Sequence, residues 1–495
     1  MSWKSLGLFA LVAFPFLNAA AQQPGEISYL DTSAMPTGVE GERIRSLIST
    51  FNSGDPEQLG RFLDEECTSR FRHVAPMEEH VAVFSSFFRR WGGVEFHSIR
   101  TYVPERTGQT VVILKDRNYE AWRALTVEFD DSAERRIDRV SFNNARTPSN
   151  VEEPSFSEAE MLRETKEIVE RVCEKDIFSG TVLLAKGDEV LYSRACGEAS
   201  KRFHVPNNID TKFNLGSMNK MFTATAIAQL VEKGVLSYDE TIAEYVDESW
   251  LPLEVTEEIT IAHLLSHTSG LGSYFNDTYW NGSRQLYREV DDFKPLVVGE
   301  ELAFEPGERF RYSNTGMLLL GVVIESATGG SYFDYIRENI YAPAGMTDSD
   351  SYDMDEPVEN LAIGYDPDPE SEYGWRNNYF MHVIRGGPAG GGFSTVGDLH
   401  RFALALLSHK LVSEASLDQM WIPQSDNDYG YGFGISEGPR GKVVGHSGGF
   451  SGINGNLSIF VDAGYVVAVL SNYSNGASPL SERIEALVEA TQDGT

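Results

Sequence analysis

The sequence predicts a mixed α/β (α+β) protein with two folded parts. Two observations support this class. Helical patterns give way to strand patterns within residues 35–146, and a longer second stretch has strand patterns near both of its ends with helical patterns between them. Helices followed by strands are typical of an α+β domain. With 495 residues, 41% of them hydrophobic, the chain is long enough for two domains, or for one large domain with an appendage.

Residues 1–21 have the layout of a secretory signal peptide. Lys4 supplies positive charge, an apolar run extends from Leu6 to Leu17, and the small residues Ala19–Ala21 precede Gln22. The run is too short for a stable membrane anchor, and no later apolar run is long enough to span a bilayer. We therefore expect an exported protein, periplasmic or secreted, with no membrane span.

Charge and cysteine content restrict the partners further. The net charge of −33 argues against nucleic acid and anionic membranes as partners. The three cysteines are Cys67, Cys173 and Cys196, an odd number that leaves at least one thiol outside disulfides within the chain. Cys173 and Cys196 flank a predicted hairpin and could pair; the alternative is that they are small buried apolar residues.

Residues 35–146 are predicted to form a small α+β domain. Within 40–66, apolar residues recur at three- and four-residue spacing, which predicts helices. From Val94 the pattern changes, and the segment 123–131 alternates apolar and polar residues as a half-buried strand does.

A polar segment with two prolines, 147–156, predicts a linker to a second domain that covers 157–495. The second domain opens with Ser157 and Glu160 spaced as a helix capping box, followed by a predicted hairpin that turns at Gly187. Further helices are predicted at Met218–Glu232, Ile261–Ser266, Gly316–Ser326, Tyr332–Asn339, Val396–Leu407 and Leu480–Ala490, and strands at Lys442–His446, Asn456–Val461 and Tyr465–Leu470.

Residues Gly445–Gly449 fit G-x-S-x-G, the pattern of the nucleophile elbow in α/β-hydrolases. That elbow needs a helix after the serine and a histidine later in the chain. Here the glycines lead into another strand pattern, and no histidine follows His446. We therefore exclude Ser447 as an elbow nucleophile and expect it, with His446, on an edge strand that lines the cleft.

Ser217 is a better candidate for the nucleophile. Helical spacing places Ser217 and Lys220 one turn apart on the same face. Burial and the positive end of the helix dipole would lower the pKa of Lys220, so that its neutral amine could take the serine proton. By itself the S-x-x-K pattern is weakly specific, because most occurrences are exposed helix surface.

Two further motifs could complete a site. Tyr312 and Asn314 precede a helix; near a lysine ammonium the pKa of the Tyr312 phenol would be lowered, which would suit a general base. The alternative is a packed aromatic residue with a structural asparagine cap. The strand end at His446–Gly449 could offer a hydrogen-bonding edge and glycine backbone that a substrate can approach closely.

In this order and spacing, the three motifs resemble those of the serine β-lactamase-like hydrolases: class C β-lactamases, D-Ala-D-Ala carboxypeptidases, D-aminopeptidases and related esterases. The resemblance covers about residues 160 to 490, with the segments Ile259–Leu271 and Gly390–Leu399 also typical of the family. It implies an antiparallel sheet flanked by terminal helices, a mostly helical subdomain, and no cofactor.

The resemblance also implies roles for single residues. Ser217 takes the position of the nucleophile and Lys220 that of its lysine, while Tyr312 and Asn314 match the Tyr-x-Asn motif. The third motif, His446–Gly448, stands where class C β-lactamases carry Lys-Thr-Gly. Histidine at this place favours a peptidase or broad hydrolase over a β-lactamase. Which of Lys220 and Tyr312 is the general base stays open.

We expect the backbone N–H groups of Ser217 and Gly449 to stabilise the oxyanion of an acyl-enzyme reaction, and Asn314, His446 and Ser447 to hold the substrate. A branched side chain at Gly449 would then crowd the oxyanion donor. Short D-amino-acid peptides rank first as substrates, small esters second and β-lactams third. The alternatives are a β-lactamase and a non-catalytic binding or sensor protein that keeps the fold.

Two remaining features carry weaker expectations. His263 and His267 lie four apart on a predicted helix, but no third ligand is evident, so we expect no metal. The order of elements in the first domain resembles the cone-shaped α+β fold of the nuclear transport factor family, which often binds ligands or dimerises. A homo-oligomer formed through this domain is therefore a further expectation.

Overall fold

The computed structural model describes residues 28–492, and the chain folds as two compact units. The division falls between Ile177 and Phe178, and residues 490–492 group with the first unit. The helix that follows the expected linker is thus grouped with the first unit. The expected signal peptide, 1–21, lies outside the described residues.

The first unit contains a five-stranded antiparallel sheet in which the strands are ordered along the chain, β1 to β5. Its strands are β1 (Ser28–Thr32), β2 (Val94–Val103), β3 (Gln109–Asp116), β4 (Trp122–Phe129) and β5 (Ile137–Asn144). Its helices are α1 (Val39–Ser53), α2 (Pro56–Glu66), α3 (Ser69–His73), α4 (Met77–Trp91) and α5 (Glu158–Glu174).

The alternation predicted for the segment 123–131 is confirmed in β4. Leu125 and Val127 are buried in the core that α1, α2 and α4 form with one face of the sheet, whereas Ala124 packs with Ile113 in a small cluster apart from that core. The capping box predicted at Ser157 and Glu160 is also present at the start of α5.

The second unit contains a six-stranded antiparallel sheet in the order β14-β15-β16-β17-β6-β7. Its strands are β6 (Gly180–Lys186), β7 (Glu189–Cys196), β14 (Gly434–Gly438), β15 (Gly441–Phe450), β16 (Ile453–Phe460) and β17 (Tyr465–Ser471). Short strands form pairs outside this sheet: β8 (Glu198–Ser200) with β9 (Val205–Pro206), β10 (Phe213–Asn214) with β13 (Phe393–Ser394), and β11 (Tyr365–Pro367) with β12 (Trp375–Asn377).

The regular elements between β7 and β14 are mainly helices, as predicted. The α-helices of this unit are α6 (Asn219–Glu232), α7 (Leu253–Thr256), α8 (Ile261–Leu265), α9 (Asp277–Asn281), α10 (Lys294–Val297), α11 (Asn314–Thr328), α12 (Tyr332–Ile336), α13 (Ala342–Ala344), α14 (Val396–Leu407), α15 (Glu414–Met420) and α16 (Ser478–Glu489). The mixed fold with antiparallel sheets that the sequence predicts is therefore confirmed.

Helix α6 differs from an ordinary surface helix because it is buried on every side. Each residue from Asn219 to Leu230 is buried, and a 3₁₀ turn, Gly216–Met218, leads into its first residue. A side chain in the first turns of α6 is therefore removed from water whichever way it points.

The expectation of an edge strand is wrong for β15 as a whole. Its first half, Gly441–Gly445, pairs with β14, and residues 443–450 pair with β16 on the other side. The segment 446–450 runs past the end of β14, so only this segment has an edge that its ladder with β16 leaves open. The open strand edge that was expected to line the cleft is therefore limited to residues 446–450.

The cysteines and the apolar helices complete the description. Cys67 is free and buried, whereas Cys173 and Cys196 are disulfide-bonded. Across residues 28–492, no single helix is long and apolar enough to cross a membrane; α11 meets that test only jointly with the helical stretch Tyr332–Ala344, and the two are bent by 86°.

Candidate active site

Ser217 lies in the 3₁₀ turn that leads into α6, and the backbone around it is held on both sides. Gly216 has a φ of +50°, and its carbonyl accepts from the N–H of Gly391 at 3.1 Å. The N–H of Leu215 donates to the carbonyl of Gly392 at 2.7 Å. The serine therefore sits half-buried on a rigid turn.

Lys220 is fully buried and reaches three oxygen atoms. Its Nζ lies 3.1 Å from Ser217 Oγ and 2.9 Å from Asn314 Oδ1, and it also donates to the carbonyl of Ala389. No acidic group is among these three partners, and burial holds the pKa of Lys220 well below its usual value. The lowered pKa expected from the sequence is therefore present.

The neighbours of Lys220 also orient a neutral amine. The carbonyl of Ala389 can only accept, and the Asn314 amide is oriented by a hydrogen bond from its Nδ2 to Ser273 Oγ at 3.2 Å, which turns Oδ1 toward Lys220. A neutral amine has two N–H donors and one lone pair. If these two oxygens take both donors, the lone pair is left for the hydroxyl of Ser217. The geometry thus suits removal of the serine proton.

Tyr312 lies close to both groups, with the centre of its ring 4.8 Å from Lys220 Nζ. Burial raises the pKa of its phenol above the usual value, and a side-chain hydrogen bond with Ser217 offsets only part of this effect. The lowered phenol pKa expected from the sequence is therefore wrong. The reason is that burial disfavours the charged phenolate.

His446 is buried beside this group and is held neutral. Its Nε2 lies 2.9 Å from Tyr429 Oη, and its ring centre is 6.4 Å from that of Tyr312. Burial, with a smaller effect from Lys220, lowers the pKa of His446 to about 3. The third motif therefore brings a neutral imidazole to the place where the family lysine would stand.

His267 belongs to the same cluster, which the sequence did not indicate. Its ring centre is 4.3 Å from that of Tyr312 and 4.8 Å from that of Tyr429. Its Nδ1 accepts from the backbone N–H of Ser313 at 3.1 Å, which places the proton of the neutral ring on Nε2. The spacing to His263 suggested only a metal ligand, and no local pattern singles out Tyr429.

His263 has a different environment from His267. Its Nδ1 accepts from the backbone N–H of Thr260 at 3.2 Å, as part of the cap of α8. Within the part of the chain that the structure describes, no group of three or more His, Cys, Asp or Glu side chains is placed to hold a metal ion.

The glycines of β15 lie against the turn that carries Ser217. An added Cβ at Gly448 would stand 1.9 Å from the carbonyl oxygen of Leu215 and 3.1 Å from the backbone nitrogen of Ser217. At Gly449, by contrast, the nearest atom of residues 28–492 beyond the adjoining residues is Asn454 Nδ2, 3.9 Å from an added Cβ. A side chain at Gly448 therefore collides with the turn that carries Ser217, whereas a Cβ at Gly449 has room. That a branched side chain at Gly449 crowds the oxyanion donor stays a prediction.

The backbone N–H of Gly449 is nevertheless near the nucleophile turn. An added Cβ at Gly216 would lie 3.0 Å from the nitrogen of Gly449. Ser447, by contrast, is buried in β15 opposite Asn456 of β16, and its carbonyl accepts from His446 Nδ1. The chain continues from it as a strand, so the geometry of a nucleophile elbow is absent at Ser447.

The fold together with a buried lysine at a serine hydroxyl defines the class of a serine hydrolase. A family model described as Beta-lactamase matches residues 161–492, and the chain belongs to this family. It is 35% identical over 324 residues to Penicillin-binding protein 4* of Bacillus subtilis (strain 168), a match that covers 62% of this chain and 70% of that protein.

Solved structures agree with this family. The penicillin binding protein from Bacillus halodurans is 33% identical, with a TM-score of 0.60 over 64% of this chain and 98% of that chain. A D-stereospecific amidohydrolase from Streptomyces sp. is 25% identical, with a TM-score of 0.51 over 62% of this chain and 93% of that chain. The family match begins at residue 161, so the resemblance of the first domain to the nuclear transport factor family stays a prediction.

Proposed function

We propose that this chain is an exported serine hydrolase that forms an acyl-enzyme on Ser217 and cleaves short D-amino-acid peptides or amides and small esters. The observation that carries the proposal is the environment of Lys220: a fully buried amine, 3.1 Å from Ser217 Oγ, whose other two contacts are oxygen acceptors. A buried neutral lysine can act as a general base at neutral pH.

In the proposed reaction Lys220 takes the hydroxyl proton while Ser217 Oγ bonds to the substrate carbonyl carbon. The carbonyl electron pair moves to oxygen, where the N–H groups of Ser217 and Gly449 stabilise the negative charge. When the carbonyl re-forms, the bond to the leaving group breaks and the leaving atom takes a proton. Tyr312 stays a neutral phenol because its pKa is raised, so its role is to relay that proton rather than to act as the base. Water then releases the acyl group by the same steps.

The third motif bears on the substrate. A neutral His446 offers no positive charge to a substrate carboxylate, so a carboxylate next to the reacting bond gains nothing from this position. The lack of a positive charge at His446 favours amides, esters and D-peptides whose binding does not depend on such a carboxylate. For the same reason we rank β-lactams third among the substrates. The similarity to a D-stereospecific amidohydrolase supports the D-configuration.

The proposal is tested by acylation of the purified protein. A D-alanyl peptide, p-nitrophenyl acetate and nitrocefin are compared for turnover, and intact-mass spectrometry records the acyl group on the protein. Ser217→Ala should abolish both signals, while Ser447→Ala is the matched serine control. Strong turnover of nitrocefin without peptidase activity would reverse the substrate order.

Two further measurements address the other parts of the proposal. A folded protein that neither a fluorophosphonate nor a fluorescent penicillin labels is a binding or sensor protein instead. Export is tested by N-terminal sequencing of the protein from a periplasmic or culture-medium fraction, which should begin at Gln22. A chain that is recovered with Met1 intact in the cytoplasm contradicts export.

A further inference from the structure

Three aromatic side chains stack on one another at one end of the candidate site: Phe275, Trp280 and Phe450, here called the aromatic trio. The ring centres of Phe275 and Phe450 are 5.5 Å apart with 23° between the planes, and those of Trp280 and Phe450 are 6.3 Å apart and within 8° of parallel. Phe275 and Trp280 stack at 6.0 Å. All three side chains are half-buried, so part of each remains open.

The exposed part of the aromatic trio is apolar. The only polar group in the three side chains is the indole N–H of Trp280, which donates to the carbonyl of Phe275 at 3.0 Å. That donor needs no partner from outside. A ligand that covers the aromatic trio therefore gains from apolar burial and stacking without leaving a buried polar group unpaired.

Strand geometry places Phe450 on the opposite side of Ser217 from Tyr312. Residues 446, 448 and 450 share one face of β15, and the middle one, Gly448, lies against the backbone of Ser217. His446 at one end approaches Tyr312. Phe450 is at the other end, about 13 Å along the strand from His446 at about 3.3 Å per residue.

The second contributor, Phe275, comes from the opposite wall of the site. It follows Ser273 by two residues, and Ser273 Oγ accepts from the same Asn314 side chain that contacts Lys220. Phe275 and Phe450 thus join the loop beside Asn314 to the strand beside the nucleophile. Their contact closes the end of the site that lies beyond Gly449.

We infer that the aromatic trio binds the acyl part of the substrate and selects an aromatic or similarly large apolar group there. Tyr312, which relays the proton to the leaving atom, lies on the His446 side, so the leaving group belongs on that side and the acyl group toward Phe450. The inference rests on the proposed acyl-enzyme at Ser217 and adds the chemical class of the acyl group.

The test compares p-nitrophenyl phenylacetate with p-nitrophenyl acetate, two esters with the same leaving group. Each kcat/KM is divided by the rate of alkaline hydrolysis of that ester, which removes the difference in intrinsic reactivity. We expect the corrected ratio to favour phenylacetate by about tenfold or more, the size of discrimination that apolar pockets achieve. Phe450→Ala should bring the corrected ratio close to one, whatever its effect on the acetate rate.

Trp280→Leu is the second variant, for the case that Phe450→Ala does not fold, and it should lower the same ratio. The matched control is Phe203→Ala, because Phe203 is an exposed phenylalanine between β8 and β9. An unchanged ratio in the folded variants shows that the aromatic trio only packs the end of the cleft and overturns the inference. If neither ester acylates the wild-type protein, the proposed function itself fails, which is a distinct result.

Discussion

Gly448 faces the carbonyl oxygen of Leu215 so closely that even a methyl group has no room between them, since it would stand 1.9 Å from that oxygen. Its neighbour Gly449 is open at the corresponding position. The contact fixes the distance between β15 and the turn that carries Ser217. Two residues that look alike in the sequence therefore differ in what they tolerate.

We expect Gly448→Ala to displace β15 from the nucleophile turn. Such overpacking typically costs about 1 to 3 kcal/mol, and a shift of about 1 Å in a reacting group lowers the rate about a hundredfold. Gly449→Ala is the matched control and should keep the stability and most of the activity. Urea unfolding and acylation by p-nitrophenyl acetate measure both effects; equal damage from the two substitutions would contradict the structure.

Ser217→Ala should remove the acyl-enzyme. Loss of the nucleophile in such a unit lowers turnover by about a millionfold. Ser447→Ala removes at most one substrate hydrogen bond of about 1 kcal/mol, so turnover should fall no more than about tenfold. Intact-mass spectrometry after incubation with p-nitrophenyl acetate separates the two variants. If Ser447→Ala blocked acylation and Ser217→Ala did not, the elbow interpretation would be right.

Lys220 should make the stability depend on pH. The unfolded chain binds a proton at Lys220 below a pKa of about 10.4, whereas the folded protein keeps the amine neutral to a much lower pH. The unfolded state therefore binds more protons, and the free energy of unfolding falls as the pH falls. Between about pH 9.5 and about pH 8, the wild type should lose about 1.4 kcal/mol per pH unit relative to Lys220→Met.

Urea unfolding of both proteins across that range gives the difference in slope directly. Lys220→Met also leaves the oxygens of Ala389 and Asn314 without their donor, which shifts its stability by a constant amount but not the slope. Parallel pH dependence in the two proteins would mean that Lys220 is charged in the folded state. The same variant should fail to acylate at any pH in the range.

His446 should remain neutral throughout the physiological range because burial lowers its pKa to about 3. Its imidazole carbon shifts, measured by NMR with selectively labelled histidine and assigned with His446→Asn, should stay constant down to about pH 4.5, whereas an ordinary histidine titrates near pH 6.5. The acid limb of the pH–rate profile on a neutral ester should accordingly survive in His446→Asn. A titration midpoint for His446 between about pH 6 and 7 would instead show that the third motif can carry a positive charge near neutral pH.

Strong local patterns predicted much of the fold. Val396–Leu407 is helical at the predicted bounds, because its apolar face and its Thr395 cap are local signals. The hairpin predicted to turn at Gly187 is also present, because the residues of its turn are a local signal as well. The strand predicted at Lys442–His446 instead extends to Phe450, since pairing with β16 carries the glycines into the sheet.

The site was less predictable where it depends on contacts between distant segments. Ser217, Lys220, Tyr312 and Asn314 are brought together as the motifs predicted. The sequence could not indicate that the backbone carbonyl of Ala389 takes a hydrogen bond from Lys220, because any residue supplies that group. Burial also reversed the expected direction of the Tyr312 pKa, and the degree of burial follows from tertiary packing.

Helix α6 and the aromatic trio lie in parts of the fold that are buried to different extents. Lys220 is enclosed on a helix buried on every side, whereas Phe275 and Trp280 lie in a stretch of loops and short helices that is half-exposed. Elements with less buried surface open at a lower free energy than the core. On mild heating, the protein should therefore lose its selectivity among acyl groups before it loses activity. Ser217 and Lys220 should keep their relative positions until the core unfolds.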